Sequence, residues 1–169
     1  MTGPVTSAAP DWERKLSVLL PLFGHRNWIV VADSAYPAQS KPGIETIVAD
    51  ADQIHVVRTV LNAVAACKHI RANVYIDQEL GSVSEIDAPG VTPYRQQLNA
   101  LLERPSVKQL PHEQIIQKLD QSAEVFRILI VKTNMTIPYT SVFFELDCGY
   151  WNAEAEERLR QAIAASDSK

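Results

Sequence analysis

The sequence predicts a three-layer α/β/α fold, with helices on both faces of a largely parallel or mixed β-sheet. Two patterns predict it: apolar runs of strand length alternate with longer segments whose apolar residues repeat at helical spacing. The chain of 169 residues suits one domain with extensions at its ends. We therefore expect a flexible arm at residues 1–10, the α/β domain at 11–150 and a C-terminal helical extension at 151–169.

The first half of the chain predicts two helices and three strands. Asp11 is the expected N-cap of the first helix, and Asp52 caps a long helix that runs from Gln53 to about Ile70. The apolar run at residues 28–33 suits a strand that other elements cover on both faces. The expected strands are 28–33, 44–48 and 73–77.

The second half predicts three helices and two strands. Thr92 resembles an N-cap followed by proline at the first helical position, and this helix is expected to end at Leu102. Pro111 begins the next helix, which ends near Gln121. The remaining expected elements are strands at 126–131 and 141–147 and a helix, capped by Asn152, that extends to about Ala165.

Composition and motifs exclude several classes of protein. Sixteen Lys and Arg against twenty Asp and Glu give a net charge of −4, which argues against nucleic acid as a partner. No apolar run reaches the about 18 residues that a membrane span needs. Cys67 and Cys148 are interpreted as small buried residues in a reducing compartment, so we expect a cytoplasmic protein. Phosphate-binding, serine-hydrolase and zinc-protease motifs are absent, which leaves acid–base chemistry without a metal.

His25 and Asp33 flank the first predicted strand and are candidates for that chemistry. Asp33 lies at the carboxyl end of this strand, where the loops of open α/β sheets bind ligands. Eight extended residues at about 3.3 Å each would separate the two residues by about 25 Å. They can share a site only if the chain folds back before the strand or if a second subunit contributes one of them.

Three segments carry a resemblance to a known family. Gly24-His25, followed by a strand and the segment Ala32–Ser40, resembles the opening motif of the D-ribose pyranase and L-fucose mutarotase family. Leu110–Gln114 resembles the His-Glu-Gln stretch of its ribose-type members, and Ile137–Phe144 resembles its terminal Tyr-x-Asn strand. The resemblance extends from about Leu16 to Gly149 and implies a ribose-pyranase-like fold.

The resemblance also implies roles for particular residues. His25 corresponds to the family's proton donor, and the sugar-contacting positions correspond to Asp33, His112, Tyr139 and Thr140. Ser141 stands where the family has asparagine, and a hydroxyl offers one donor where an amide offers two. The family uses no cofactor and forms ring-like homo-oligomers, often decamers, with sites at the subunit interfaces.

We therefore predict a cofactor-free mutarotase or pyranase that interconverts the anomers or ring forms of a free monosaccharide such as ribose or fucose. The first alternative is a non-catalytic carbohydrate-binding or sugar-transport accessory protein, which the serine at position 141 motivates. The second is a structural oligomer whose C-terminal helix docks a partner. The choice between ribose and fucose stays open, because different segments resemble ribose-type and fucose-type members.

Taken singly, the candidate residues also have structural explanations. His25 suits a loop, Asp33 an Asx-turn, and Tyr139 the edge of a strand, while His112 suits a solvent-facing first turn of a helix. Three segments that match one family in the right order favour the functional interpretation. Four other side chains are given structural roles: His55 and His69 on the polar face of the long helix, Trp12 and Trp28 in the core.

Overall fold

Helices and strands alternate along the computed structural model, which describes residues 9–103 and 107–167. The strands are β1 (Trp28–Ala32), β2 (Ile44–Val48), β3 (Ile70–Asp77), β4 (Val107–Leu110), β5 (Ile128–Lys132) and β6 (Val142–Cys148). The helices are α1 (Asp11–Leu19), α2 (Gln53–Ala65), α3 (Val91–Leu101), α4 (His112–Ala123) and α5 (Ala153–Ser166), and a short 3₁₀ helix lies at Gln78–Ser82.

The six strands form one mixed sheet in the order β2-β5-β1-β6-β3-β4. β5 runs parallel to β1 and β2, and β4 runs parallel to β3. β6 lies between β1 and β3 and is antiparallel to both. β1 and β3 therefore point the same way and end at the same edge of the sheet, where β6 begins. The predicted α/β fold with a mixed sheet is confirmed.

The core consists of two layers, one on each face of the sheet. Ile29 and Val31 of β1 pack into a large cluster with α1, α2 and α3, whereas Trp28 and Val30 pack against α4 on the other face. All five residues of β1 are buried, as the uninterrupted apolar run predicted. Trp12 and Trp28 are core residues, 4% and 0% exposed, and this prediction is confirmed.

Two predicted N-caps are wrong. Pro10, not Asp11, is the N-cap of α1, and its carbonyl accepts hydrogen bonds from the backbone of Glu13 and Arg14. Gly90, with a φ of 95°, precedes α3, so Thr92 lies inside the first turn. Gly90 is the N-cap, and the carboxylate of Glu85 accepts hydrogen bonds from the backbone N–H groups of Gly90 and Thr92 at the start of the helix.

Strand pairing corrects the bounds of the long helix. α2 ends at Ala65 rather than near Ile70, because Ile70 begins β3 and pairs with Cys148 of β6. His69 consequently lies in the connection rather than on the helix, and its Nε2 lies 3.1 Å from the carbonyl oxygen of Phe23. His55 is exposed on α2, as expected. The two cysteines are half-buried rather than buried, and both are free thiols.

β4 was not predicted, because it lacks the apolar pattern of a strand. It pairs only with β3 at the edge of the sheet, and its residues Lys108 and Gln109 are exposed. An edge strand with little buried surface needs few apolar residues, so its sequence carries a weak signal.

The predicted C-terminal helix is present as α5. The side chain of its N-cap, Asn152, accepts a hydrogen bond of 2.8 Å from the N–H of Ala155, as predicted. None of its residues is buried. In the part of the chain that the structure describes, no helix is long and apolar enough to span a membrane. Residues 1–8 of the predicted arm, and residues 168 and 169, lie outside the described residues.

A buried glutamine connects α2 to the edge where β1 ends. Gln53 is 0% exposed, and its Nε2 donates hydrogen bonds to the carbonyls of Val31 (3.1 Å) and Thr140 (2.8 Å). Its Oε1 accepts a hydrogen bond of 2.6 Å from the hydroxyl of Thr133, just after β5. One amide therefore joins a helix, two strand ends and the loop before β6.

We predict that Gln53→Ala destabilises the fold by about 3 kcal/mol, because it removes three buried hydrogen bonds, to Val31, Thr140 and Thr133. Urea denaturation followed by circular dichroism measures the change. Gln117→Ala, at an exposed glutamine of α4, is the matched control and should change stability by no more than about 0.5 kcal/mol. Equal stability of the two variants would contradict the role assigned to Gln53.

Candidate active site

A cavity of about 380 Å³ opens at the edge of the sheet where β1 and β3 end. Asp33 follows β1, Asp77 is the last residue of β3, and His112 is the first residue of α4. Tyr139 and Ser141 come from the loop that leads into β6. The residues that line the cavity are Asp33, Ala35, Tyr36, Pro37, Gln39, Asp77, His112, Glu113, Ile116, Pro138, Tyr139 and Ser141.

Four of the predicted site residues therefore lie in one cavity: Asp33, His112, Tyr139 and Ser141. Thr140 does not line it. Its hydroxyl donates a hydrogen bond to the carbonyl of Ile137 (2.7 Å), and its own carbonyl accepts hydrogen bonds from Tyr94 (2.7 Å) and Gln53. Thr140 fixes the loop, and its two neighbours face the cavity.

Ser141 and Asp33 form a reciprocal pair. The hydroxyl of Ser141 donates to Oδ1 of Asp33 (2.8 Å) and accepts a hydrogen bond from the N–H of Asp33 (3.3 Å). Oδ2 of Asp33 accepts a hydrogen bond from the N–H of Ala35, which is the Asx-turn expected there. Asp33 therefore forms the expected turn and also lines the cavity.

Sequence reasoning missed Asp77, whose carboxylate contacts the imidazole of His112 in the cavity. Its Oδ1 lies 3.0 Å from Nδ1 of His112, and its side chain is 1% exposed. Burial raises the pKa of Asp77, although the hydrogen bond from His112 opposes the shift. The signal was present, because Asp77 ends a strand just as Asp33 does.

The backbone around His112 and Tyr139 is also constrained. The N–H of His112 donates to both carboxylate oxygens of Glu79, at 3.1 and 3.0 Å. Tyr139 has a φ of 59°, a left-handed conformation that is unfavourable for a side chain of its size. Its ring lies edge-on to the imidazole of His112, with the centroids 5.8 Å apart, and the side chain is partly exposed.

Two residues that line the cavity each have a buried polar atom without a hydrogen-bond partner among the described residues: Oη of Tyr36 and Oδ2 of Asp77. Burial, together with the carboxylates of Asp120, Asp77 and Asp33, raises the pKa of Tyr36, which keeps the phenol protonated. Leaving a buried polar group unpaired costs about 1–3 kcal/mol. A ligand with several hydroxyl groups would supply hydrogen-bond partners for this donor and this acceptor.

His25 lies at the opposite end of β1 and does not line this cavity. The chain does not fold back to bring His25 to Asp33. The imidazole is 57% exposed, and its Nδ1 lies 2.9 Å from Oδ1 of Asp147. His25 lines a second cavity, of about 680 Å³, together with Arg26, Arg71 and Trp151 among others.

No three histidine, cysteine, aspartate or glutamate side chains of residues 9–103 and 107–167 are arranged to hold a metal ion. The cavities therefore suggest no residues for a metal site.

Comparison with known proteins gives the family. The model of the RbsD / FucU transport protein family matches residues 12–149. The chain belongs to this family, which confirms the resemblance found in the sequence. A search of curated protein sequences found no match.

Solved structures share the fold at low sequence identity. RbsD from Bacillus subtilis in complex with D-ribose is 17% identical, with 87% of this chain and 96% of that chain covered and a TM-score of 0.54. The fucose mutarotase of Streptococcus pneumoniae in complex with L-fucose is 20% identical, with 87% and 98% covered and a TM-score of 0.51. FucU from Bifidobacterium longum is 14% identical, with 79% and 94% covered and a TM-score of 0.52.

The environment of Asp147 predicts an acid-sensitive contribution to stability. Burial opposes ionisation, but hydrogen bonds from Arg71, the N–H of Cys148 and His25 outweigh it and lower the pKa of Asp147 below its ordinary 3.8. A carboxyl group whose pKa is lowered by folding stabilises the folded state at pH values above its ordinary pKa. This stabilisation disappears as the pH falls through the pKa of the folded state. At pH 7, Asp147→Asn should therefore be less stable than the wild type by about 1 kcal/mol.

Urea denaturation at pH 7 and pH 3 measures this difference, which should shrink at pH 3. Asp167→Asn, at an exposed position after α5, is the control and should match the wild type at both pH values. A constant difference between wild type and Asp147→Asn from pH 7 to pH 3 would contradict the prediction.

Proposed function

We propose that this protein is a cofactor-free mutarotase or pyranase that interconverts the anomers or ring forms of a free aldose such as ribose or fucose. The observation that carries the proposal is a cavity beside the imidazole of His112 whose lining residues Tyr36 and Asp77 each hold a buried polar atom without a partner. The volume of about 380 Å³ lies in the range of small-molecule sites. Membership of a family that includes ribose- and fucose-binding relatives supports the choice of ligand.

The charge of the cavity favours a neutral sugar over a phosphorylated one. Asp33, Asp77 and Glu113 line it, and no lysine or arginine of the described residues does. A phosphate group would meet uncompensated carboxylates here, whereas sugar hydroxyl groups can donate hydrogen bonds to them. The rings of Tyr36 and Tyr139 supply apolar surface for the carbon face of a sugar.

Ring opening needs two proton transfers, one from the anomeric hydroxyl and one to the ring oxygen. The family resemblance assigns the donor role to His25, which can reach the cavity only from a second copy of the chain. Arg26, Arg71 and Arg160 line the cavity around His25 together with Asp147 and Glu156, whereas the cavity at Asp33 has carboxylates and no lysine or arginine among the described residues. A contact that brings His25 of one copy to Asp33 of another is heterologous, and such contacts form a ring where the rotation between neighbours closes.

A non-catalytic sugar-binding protein is the second candidate, and one observation favours it. Ser141 replaces the asparagine that the family motif leads us to expect, and its hydroxyl already donates to Asp33. It therefore has no second donor to offer a sugar. Binding without faster ring opening would be the consequence.

Magnetisation-transfer NMR on ribose and on fucose distinguishes the two candidates. We expect purified protein to accelerate exchange between the anomers or ring forms of at least one of the sugars, because one positioned acid–base group typically contributes about 10²–10⁴-fold. Calorimetric binding of a sugar without accelerated exchange would favour the accessory protein. If neither ribose nor fucose bound to the protein, and the exchange of neither sugar was accelerated, both candidates would be contradicted.

A complementation experiment tests the shared site. His25→Ala and Asp33→Ala should each slow exchange by about tenfold or more, because each removes one half of every site. Co-expressed in equal amounts, they should regain about one quarter of the wild-type rate, since one site in four then combines two intact halves. Each variant expressed alone is the reference, and His55→Ala, at an exposed histidine of α2, is the control. Mixed oligomers with no regained activity would show that His25 and Asp33 do not form one site.

A further inference from the structure

We propose that His112 is the second proton-transfer group of the sugar site and that Asp77 is the residue that positions it. This inference rests on the proposed mutarotase function and assigns to His112 a role beyond contact with the sugar. It adds to the site a residue, Asp77, that the sequence motifs do not contain.

His112 is fixed both at its ring and at its backbone. Oδ1 of Asp77 lies 3.0 Å from its Nδ1, and Glu79 binds its backbone N–H with both carboxylate oxygens. The rings of Tyr139 and Phe143 lie edge-on to the imidazole, with centroids 5.8 and 6.5 Å away. A proton-transfer group needs such a fixed orientation, because the reaction requires hydrogen-bond geometry at the reacting atom.

Asp77 is itself fixed by the sheet. It is the last residue of β3 and pairs with Leu110 at the end of β4, two residues before His112. The parallel pairing of β3 and β4 therefore brings the carboxylate beside the first residue of α4. This arrangement depends on backbone pairing rather than on a flexible loop.

The pair also determines which nitrogen of His112 carries the proton. A carboxylate accepts hydrogen bonds, and imidazole is ordinarily more basic than a carboxyl group, so the shared proton resides on Nδ1. The lone pair of the neutral ring is then on Nε2, which has no protein partner among residues 9–103 and 107–167. The imidazole is 30% exposed and lines the cavity, so a ligand can reach it.

Carboxylates lie on several sides of this ring. Asp33 follows β1, Glu79 lies in the 3₁₀ helix and Glu113 in α4, and all three are close to the pair of Asp77 and His112. Their negative charge offsets the positive charge that the ring carries while it holds the proton of the sugar. The other titratable groups of the cavity are the phenols of Tyr36 and Tyr139. Burial and the nearby carboxylates raise the pKa of Tyr36, so it stays neutral.

Ring opening at this site takes one proton from the sugar and returns one to it. Nε2 of His112 accepts the proton of the anomeric hydroxyl while the bond from the anomeric carbon to the ring oxygen breaks. The electron pair of that bond stays on the ring oxygen, which takes a proton from His25 of a second copy, and the anomeric carbon becomes a carbonyl. After rotation about the adjacent carbon–carbon bond, the reverse transfers close the ring and return both protons to their original groups.

Asp77→Asn tests the pair, because asparagine keeps the shape and can donate a hydrogen bond to Nδ1. We expect the neutral His112 ring to change from the Nδ1–H to the Nε2–H tautomer, which the imidazole ¹⁵N shifts report, and sugar exchange to fall about a hundredfold. Asp77→Glu, which keeps a carboxylate, should retain the Nδ1–H tautomer and part of the activity. Asp50→Asn is the matched control, because Asp50 is exposed after β2 and its φ of 46° suits asparagine.

Three outcomes would overturn the inference. The Nε2–H tautomer in the wild-type protein would do so even if the variant failed to fold. Unchanged sugar exchange in a folded Asp77→Asn variant would also overturn the inference. So would an equal loss of sugar exchange in Asp50→Asn and Asp77→Asn. If the wild-type protein accelerated no sugar exchange, the proposed function would fail and His112 would have no catalytic role, although the tautomer would still show whether Asp77 orients the ring.

Discussion

The buried amide of Gln53 is the interaction on which the site depends. It joins the end of β1, the residue after β5 and the loop before β6 through three hydrogen bonds, in a place where water cannot replace a lost partner. Tyr94 of α3 adds a second bond to the same carbonyl of Thr140. The carbonyl of Thr140 therefore attaches this loop to the core, while the side chains of its neighbours Tyr139 and Ser141 face the cavity.

The direction of the strands explains why the cavity is acidic and why it lies where it does. β1 and β3 run the same way because β6 is antiparallel to both, so Asp33 and Asp77 emerge at one edge with the start of β6 between them. His25 and Asp147 lie at the opposite edge, together with Arg26 and Arg71. A single sheet thus separates two clusters of polar residues that are distant within the chain.

Much of this fold was predictable from the sequence, and the exceptions have physical reasons. The apolar run of β1 identified a strand covered on both faces, because its burial depends on local composition. β4 and the true end of α2 depend on pairing with distant strands, so local patterns did not reveal them. Asp77 ends a predicted strand, but its contact with His112 was not predictable from local patterns, because only the pairing of β3 with β4 brings the two residues together. The resemblance identified four residues that share the cavity, whereas the role of His25 remains a prediction.

Tyr139 has a consequence for protein engineering. Its left-handed backbone costs an L-residue about 1 kcal/mol, which glycine would not incur. Folding alone therefore gives no reason for an aromatic residue there, and its contact with His112 supplies one. Glycine at this position would relieve the backbone strain, but it would also add conformational freedom to the unfolded chain and remove one wall of the cavity. The change would therefore gain little stability, and it would weaken ligand recognition.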